Sequence, residues 1–219
     1  VTGDKSLAKG VKTLKRHARA TGPLRDLHVF LQDLPELCAD DAEIRAALQI
    51  WFEREAASHH KKLAKRLKSK RYQDSLEHWR NLIDSRKFQK LAATLRPKDI
   101  RRAVERRIKE FNKRTAELMH TSPDEDIHRL RKQLKRIRYL MELDAKTWKR
   151  NLKTLKERQE LYGRFQDLHV QILLLDQFRQ AAPEVLPAAL NGIVETLGNH
   201  KANARKQILT LGGLDGAPL

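Results

Sequence analysis

The segment at residues 127–142 contains the side chains best suited to binding an anion. It reads IHRLRKQLKRIRYLME, and on a helix it has one apolar stripe, formed by Ile127, Leu130, Leu134, Ile137 and Met141. One residue later, the same three- and four-residue spacing gives a second stripe, formed by His128, Arg131, Lys135, Arg138 and Glu142. The planar fork of Arg can hold two phosphate oxygens, and Lys adds a mobile point charge. This flank, with Lys132 beside it, therefore predicts a row of phosphate-binding groups.

An ordinary amphipathic helix with solvated charges would have a similar composition. In this segment, however, the cations adjoin the apolar stripe, which places them at the edge of a helix–helix contact. Convergence with other helices at that edge favours a lined cleft. Two further pairs of cations share helix faces and join the candidate site, namely Arg102 with Arg106 and Lys61 with Lys65.

The nine histidines raise the alternative of a metal site. In Asp26-Leu27-His28 the acid and the imidazole are two residues apart, so on a helix they point to different sides and cannot form a local pair of ligands. The sequence has no Cys-x-x-Cys and no His-Glu-x-x-His motif. We predict no metal and no other cofactor, and interpret Asp26, Asp167, His28 and His169 as helix caps, partners of Arg or core residues.

The sequence contains few features that would indicate an enzyme. There is no glycine-rich phosphate loop and no Ser or Cys nucleophile in a recognisable setting. No pair of acids is placed to hold magnesium against so much positive charge. We therefore predict no catalytic residues and expect a binding protein rather than an enzyme.

The overall charge also points to an anionic partner. Lys and Arg number 46 against 28 for Asp and Glu, which gives a formal net charge of +18. Such an excess favours phosphate-rich polymers or anionic surfaces, because each cation that meets a phosphate releases condensed counterions. The single cysteine, Cys38, cannot form an internal disulfide and suits a reducing cytoplasm. The longest apolar stretch, residues 168–175, is far shorter than the roughly 20 residues of a spanning helix, so no membrane insertion is expected.

Apolar residues recur every three or four positions through most of the chain, which predicts an all-α fold. Helices are expected to be separated at Gly22-Pro23, Pro35, Pro97, Pro123, Pro183, Pro187 and Gly212-Gly213. The clearest predicted start has Ser122 as the capping residue and Pro123 at the first helical position, and Pro97-Lys98-Asp99 is a weaker version. After Leu211 we expect a frayed tail at residues 212–219.

An internal repeat is the most informative feature of the organisation. Residues 12–29 read KTLKRHARATGPLRDLHV and residues 153–170 read KTLKERQELYGRFQDLHV, with nine identities in eighteen positions at an offset of 141. The same offset pairs His59 with His200 and Lys65 with Lys206. The sequence is therefore interpreted as a duplication of one helical unit.

The duplication predicts one domain over residues 1–211, made of two helical repeats at about 1–120 and 121–211. Two copies that each bury their own faces poorly are expected to pack about a pseudo-two-fold axis, where a ligand could lie. In the first repeat, the counterpart of the 127–142 helix would fall before Val1.

With these motifs the sequence resembles the CHAD family, the conserved-histidine α-helical domain, over nearly its whole length. The resemblance rests on IHRLRKQLKRIRYLME at 127–142, on GPLRDLHV at 22–29 paired with GRFQDLHV at 163–170, and on FEREAASHHKKLAKRLKSKRY at 52–72. It implies two helical bundles around a basic central cavity that binds inorganic polyphosphate, in the cytoplasm and often on polyphosphate granules. No catalytic activity is implied.

The resemblance also implies which residues bind. In the long motif these are His128, Arg131, Lys132, Lys135 and Arg138, and in the duplicated motif they are His59, Lys65, His200 and Lys206. Arg25 completes the candidate set, but its counterpart in the second copy is Gln166, which is a loss of charge. The family's first basic helix has no match in this sequence.

Two other functions compete with this interpretation. A nucleic acid offers a similar backbone charge and could bind by non-specific electrostatics. Aromatic residues make up only 5% of the chain, however, and neither a stacking platform nor a helix-turn-helix signature is present. The third interpretation is an accessory domain of a triphosphate- or polyphosphate-processing enzyme, because the family often lies beside triphosphate-hydrolysing domains.

Overall fold

A computed structural model describes residues 5–215, which form helices and connecting loops without any strand. The helices are α1 (Lys5–Arg19), α2 (Gly22–Leu37), α3 (Ala42–Leu67), α4 (Lys70–Asp84), α5 (Arg86–Ala93), α6 (Pro97–Ala116), α7 (Asp124–Met141), α8 (Lys149–Ala181) and α9 (Pro187–Leu211), with a short 3-10 helix at Glu142–Asp144. The predicted all-α fold is confirmed. Within the described range, every helix is too short or too polar to cross a lipid bilayer.

Several helices begin where glycine or proline predicted a boundary. α2 begins at Gly22, α6 at Pro97 and α9 at Pro187, since proline fits the first turn, where its missing N–H has no partner to lose. At the start of α6 the Asp99 carboxylate accepts a hydrogen bond from the Arg96 backbone N–H at 3.3 Å. This contact supports the helix start that was predicted at Pro97.

The helix boundary predicted near Pro35 is confirmed to within a few residues, because Pro35 lies in the last turn of α2 and the helix ends at Leu37. One boundary detail of the sequence interpretation is wrong. Ser122 does not cap α7: its hydroxyl accepts a hydrogen bond from the Met119 backbone N–H at 2.9 Å, and Pro123 occupies the N-cap position. The Ser122 hydroxyl, which was expected to cap α7, is therefore bound within the preceding turn instead.

The described residues form two compact units. The first comprises residues 95–169 and 197–215, and the second comprises residues 5–94 and 170–196. In the first unit α6 packs on α7, and in the second α2 packs on α3. Each unit is defined by contacts among its own residues, whereas the two predicted repeats were defined by similarity of sequence. The arrangement of two repeats about a pseudo-two-fold axis with a basic central cavity stays a prediction.

The core of the first unit contains the apolar stripe predicted for α7. All five of its residues are buried, namely Ile127, Leu130, Leu134, Ile137 and Met141. The unit also buries the rings of Phe111 and Tyr162, whose centroids lie 6.5 Å apart. Each such side chain contributes roughly 1.5–3 kcal/mol by leaving water. Burial of this stripe fixes the rotation of α7 and therefore the position of the cationic flank beside it.

The segment after α9 is anchored rather than frayed as far as the structure describes it. Arg158 donates to the carbonyl oxygens of Leu211 and Gly212 at 3.0 and 2.8 Å. The Asn112 amide accepts from the Leu214 N–H at 2.7 Å and donates to the Leu214 carbonyl at 2.8 Å. A Cβ at Gly213 would lie 2.9 Å from the Asn112 side-chain oxygen, so glycine permits this close approach. The expected fraying is wrong for residues 212–215, and residues 216–219 of the predicted tail lie outside the described range.

Candidate functional site

The cationic flank of α7 lies at the border of its buried stripe, as the spacing predicted. We call His128, Arg131, Lys135 and Arg138 the α7 flank. All four are half-buried, whereas the cations on the outer side of the same helix, Arg129, Lys132 and Arg136, are exposed. The predicted residue Lys132 thus lies outside the flank, with its ammonium group 3.9 Å from the Glu125 carboxylate. The half-burial of the flank follows from the packing of α8 along this side of α7.

Two glutamines of α8 hold the two ends of the α7 flank. The Gln166 side-chain oxygen contacts Nδ1 of His128, and the Gln159 oxygen accepts a hydrogen bond from Arg138 at 2.9 Å. Gln159 also donates to the backbone carbonyl of Leu134 at 3.1 Å. The later residue of α7 contacts the earlier residue of α8, so the two helices run antiparallel here. The glutamines orient the flank without neutralising it, because an amide carries no charge.

The contact with Gln166 determines how His128 can interact with an anion. Because Gln166 contacts Nδ1, Nε2 is the ring nitrogen that can face an anion. When the ring is doubly protonated, Nε2 becomes a charged donor. His128 is therefore oriented to donate to an anion when it is protonated.

Acidic residues lie at the two ends of the α7 flank. At the C-terminal end the Glu142 carboxylate lies 3.1 Å from Arg138 Nε, and the Arg138 guanidinium also stacks on the Tyr139 ring at 5.0 Å. At the N-terminal end Asp124, the first residue of α7, contacts cations of α9. The flank is thus bounded by two carboxylates that are already engaged with cations.

Asp124 is the centre of a charge cluster that the sequence interpretation missed. Its carboxylate lies 2.9 Å from Lys201 Nζ and 3.0 Å from His169 Nδ1, and it forms an ion pair with Arg205. Burial alone would raise the pKa of Asp124. The hydrogen bonds and positive charges of Lys201 and Arg205 outweigh burial and lower the pKa below its ordinary value. The carboxylate therefore stays ionised and holds α7, α8 and α9 together within the first unit.

Arg205 makes further contacts that explain its deep position. Its guanidinium donates to the backbone carbonyl of Ser122 at 2.6 Å and to that of His120 at 3.2 Å, and it lies 5.5 Å from the centre of the Phe165 ring. Its side chain is only 14% exposed. These contacts fasten the loop before α7, so Arg205 positions the N-terminal end of the flank.

The structure separates the other predicted residues into three groups. Arg102 and Arg106 lie exposed on α6 in the first unit. His200 and Lys206 lie exposed on α9 in the same unit, each next to a residue of the Asp124 cluster. The remaining four belong to the second unit, where His59 is half-buried and the other three, Arg25, Lys61 and Lys65, are exposed. The structure therefore brings together His128, Arg131, Lys135 and Arg138, and roles for the others stay predictions.

The cavities near α7 differ in the charge of their linings. One of about 450 Å³ is lined by residues of α6, the α6–α7 loop and α7, including Glu110, Glu117, Lys113 and Arg129, and this mixture of charges does not favour a polyanion. A second, of about 70 Å³, lies between the Asp124 cluster and His128. Over residues 5–215, no three His, Cys, Asp or Glu side chains are grouped so that they could hold a metal ion.

Comparison with known families shows which family the chain matches. The family model described as CHAD domain matches residues 1–176 of the 219-residue chain. No curated protein and no solved structure matches the chain. The matched range contains the whole α7 flank, both glutamines and Asp124, and it ends before α9.

Proposed function

Because the chain belongs to the CHAD family, we propose that it binds inorganic polyphosphate and acts as a binding protein rather than an enzyme. Membership of this family is consistent with polyphosphate- or triphosphate-related binding. The observation that carries the proposal is the α7 flank, in which uncharged glutamines orient both ends of a row of cationic groups. Phosphate oxygens can accept hydrogen bonds from such a row of cationic groups along its length.

The length of the flank favours a polymer over a single anion. The ten residue steps from His128 to Arg138 span about 15 Å of helix. One orthophosphate can contact one or two of the four side chains at a time, whereas a chain with a charge on every phosphate can contact all of them. Each contact releases counterions, so affinity is expected to increase with chain length.

The chemistry of each side chain suggests its role. Arg131 and Arg138 can each hold two oxygens of a phosphate, and Lys135 adds a point charge between them. His128 donates from Nε2 once it is protonated. Lys132, on the outer side of α7, would add attraction at longer range, as would Arg102, Arg106, His200 and Lys206 elsewhere in the first unit.

The carboxylates near the flank support binding rather than hydrolysis. Asp124 is engaged by Lys201, His169 and Arg205, and Glu142 is engaged by Arg138. A carboxylate that neutralises protein cations is poorly placed to bind magnesium, which phosphate-hydrolysing sites commonly require. The proposal therefore includes no turnover of polyphosphate or nucleoside triphosphates. We also propose that the protein is located in the cytoplasm, on polyphosphate granules.

A competition titration tests the proposal. Long-chain polyphosphate, duplex DNA, RNA and orthophosphate are compared at equal phosphate concentration and at about 0.15 M salt. We expect polyphosphate to bind most tightly, with affinity that rises with chain length and falls steeply with salt. Hydrolysis is followed in parallel, with and without magnesium.

Three results would contradict the proposal. If orthophosphate competed as well as long-chain polyphosphate, the idea of an extended site would be wrong. If DNA or RNA bound more tightly than polyphosphate, the nucleic acid would be the ligand instead. Turnover that co-purifies with the protein and disappears on a single substitution would show an enzyme instead.

A further inference from the structure

The second unit contains two segments that are rich in cations and lack acids. Residues 12–19 in α1 read KTLKRHAR and contain four Lys or Arg residues, and residues 61–71 read KKLAKRLKSKR and contain seven. Neither segment contains Asp or Glu. Among the residues that the structure describes, none of these cations lies within 4.0 Å of a carboxylate. Their charge is therefore not neutralised by ion pairs within the described chain.

The fold brings these two segments together. The Arg66 guanidinium at the end of α3 donates to the Arg16 backbone carbonyl of α1 at 3.0 Å. On α4, the Tyr72 ring meets the His17 ring edge to face at a centroid distance of 4.9 Å. Nearer the start of α1, a Cβ at Gly10 would lie 2.8 Å from the Trp79 ring, so α1 lies directly against α4. The end of α1, the end of α3 and the start of α4 thus form one surface.

His17 lies at the centre of this surface, and its pKa depends on the charges around it. Neither ring nitrogen has a hydrogen-bond partner, and both are shielded from solvent. Burial lowers the pKa of His17, and the nearby charges of Arg66, Arg16 and Arg71 lower it further. The charges of three guanidinium groups thus disfavour protonation of this imidazole. We call these three arginines, together with Lys15 of the same segment of α1, the His17 cluster.

We propose that the His17 cluster is a second polyphosphate site, in a different unit from the α7 flank. The identity of the ligand rests on the proposed function, whereas the existence of the site rests on the contacts just described. Crowded like charges repel one another in the unliganded protein, and a bound row of phosphates removes that repulsion. Three guanidinium groups also offer paired donors that suit phosphate oxygens. One protein molecule would then hold polyphosphate at two places.

His17 itself provides the test, because a phosphate bound among the arginines cancels the charges that depress its pKa. The ring protons of the histidines in the full chain are titrated by NMR, with and without long-chain polyphosphate. We expect polyphosphate to raise the His17 pKa by about half a unit or more. At about 0.15 M salt, charge bound at exposed sites more than about 8 Å away has a weaker effect, so the shift reports mainly binding at the cluster.

A charge-matched pair of variants gives a second measurement. The first combines Lys15→Gln, Arg16→Gln and Arg71→Gln and leaves Arg66 in place, because Arg66 fastens α1. The control combines Arg80→Gln, Arg86→Gln and Lys90→Gln, three exposed cations of α4 and α5 in the same unit. We expect the first variant to reduce the salt slope of polyphosphate binding by about 3 and the control to reduce it by less than about 1.

The outcomes separate this inference from the proposed function. If polyphosphate shifts the His128 resonance but leaves His17 unchanged, the second site does not exist and the proposed function stands. If neither residue responds, the proposed function fails as well. A His17 shift produced by vesicles of phosphatidylserine and phosphatidylcholine, and not by polyphosphate, would assign the cluster to a membrane surface and overturn the inference.

Discussion

Lys201 places its ammonium nitrogen 2.9 Å from the carboxylate of Asp124, so a cation of α9 is held at the first residue of α7. The two side chains are 24% and 26% exposed, which means that neither is fully solvated. Asp124 also holds Arg205 and His169. One carboxylate therefore compensates two cations and contacts a histidine, and the N-terminal end of the α7 flank depends on it.

Removal of the Asp124 charge should destabilise the protein. Asp124→Asn preserves the shape of the side chain but leaves Lys201 and Arg205 half-buried without a counter-charge. We expect a loss of about 1–3 kcal/mol in the free energy of unfolding, which is below the cost for a fully buried pair because the group is partly solvated. Urea unfolding measures the difference. Glu125→Gln, at an exposed neighbour with contacts of 3.8 and 3.9 Å to Arg129 and Lys132, should cost less than about 1 kcal/mol. Equal losses in the two variants would show that the Asp124 carboxylate contributes no more to the free energy of unfolding than an exposed carboxylate does.

The same carboxylate predicts how stability depends on pH. The folded-state pKa of Asp124 is lowered, so the unfolded state binds the proton more readily and folding gains stability wherever Asp124 is ionised. That contribution is fully present above the ordinary value of about 3.9 and is lost as pH falls through the lower folded-state pKa. The stability difference between wild type and Asp124→Asn should be constant from neutral pH to about pH 5 and shrink below about pH 4. A difference that stays constant in acid would contradict this assignment.

Acid should have the opposite effect on ligand binding. Phosphates beside His128 favour its doubly protonated form, so binding takes up a proton and tightens as pH falls through the histidine range. His59 and His200 were predicted to act in the same way. We expect affinity for polyphosphate to increase about two- to ten-fold from about pH 8 to about pH 6, and His128→Gln to reduce this gain. His60→Gln, at an exposed histidine outside the candidate set, serves as the control. If the His128 and His60 variants lose the same part of the gain, His128 is not at the ligand.

The stripe and flank of α7 could be predicted from sequence because a helix alone determines which of its residues share a side. The partners of the flank could not. Gln159 is 25 residues from Leu134, and Lys201 is 77 residues from Asp124. Residue spacing carries no information about contacts between separate helices. For the same reason, the interpretation selected the exposed His200 and Lys206, while their neighbours Lys201 and Arg205 turn toward Asp124.

Glycine-rich and basic segments also make tertiary contacts that the sequence does not reveal. Gly212 and Gly213 were interpreted as a frayed end, although glycine equally permits the close approach to Asn112 that anchors this segment. The cations of residues 61–71 were chosen by helical face, which singled out Lys61 and Lys65. The choice overlooked Arg66, the residue that reaches α1. In both places the deciding information is a tertiary contact.

The last prediction separates the two sides of α7. Arg131→Gln combined with Lys135→Gln removes two charges from the centre of the flank and leaves Arg138, which has structural contacts with Gln159 and Glu142. We expect the free energy of unfolding to change by less than about 1 kcal/mol. Affinity for polyphosphate should fall at least about ten-fold, with a salt slope smaller by about 2. Arg129→Gln combined with Arg136→Gln removes the same charge from the exposed side of α7 and should weaken binding much less.

Leu134→Ala should show the reverse pattern. Leu134 is fully buried, so its truncation should cost about 2–5 kcal/mol by leaving a cavity in the first unit. The molecules that remain folded keep every cation of the flank and should bind polyphosphate nearly as wild type does. Thermal melting and polyphosphate titration on all three variants decide between the two interpretations of the helix. Normal affinity in the Arg131 and Lys135 double variant would make the flank a solvated face, and the site would then have to lie elsewhere on the protein.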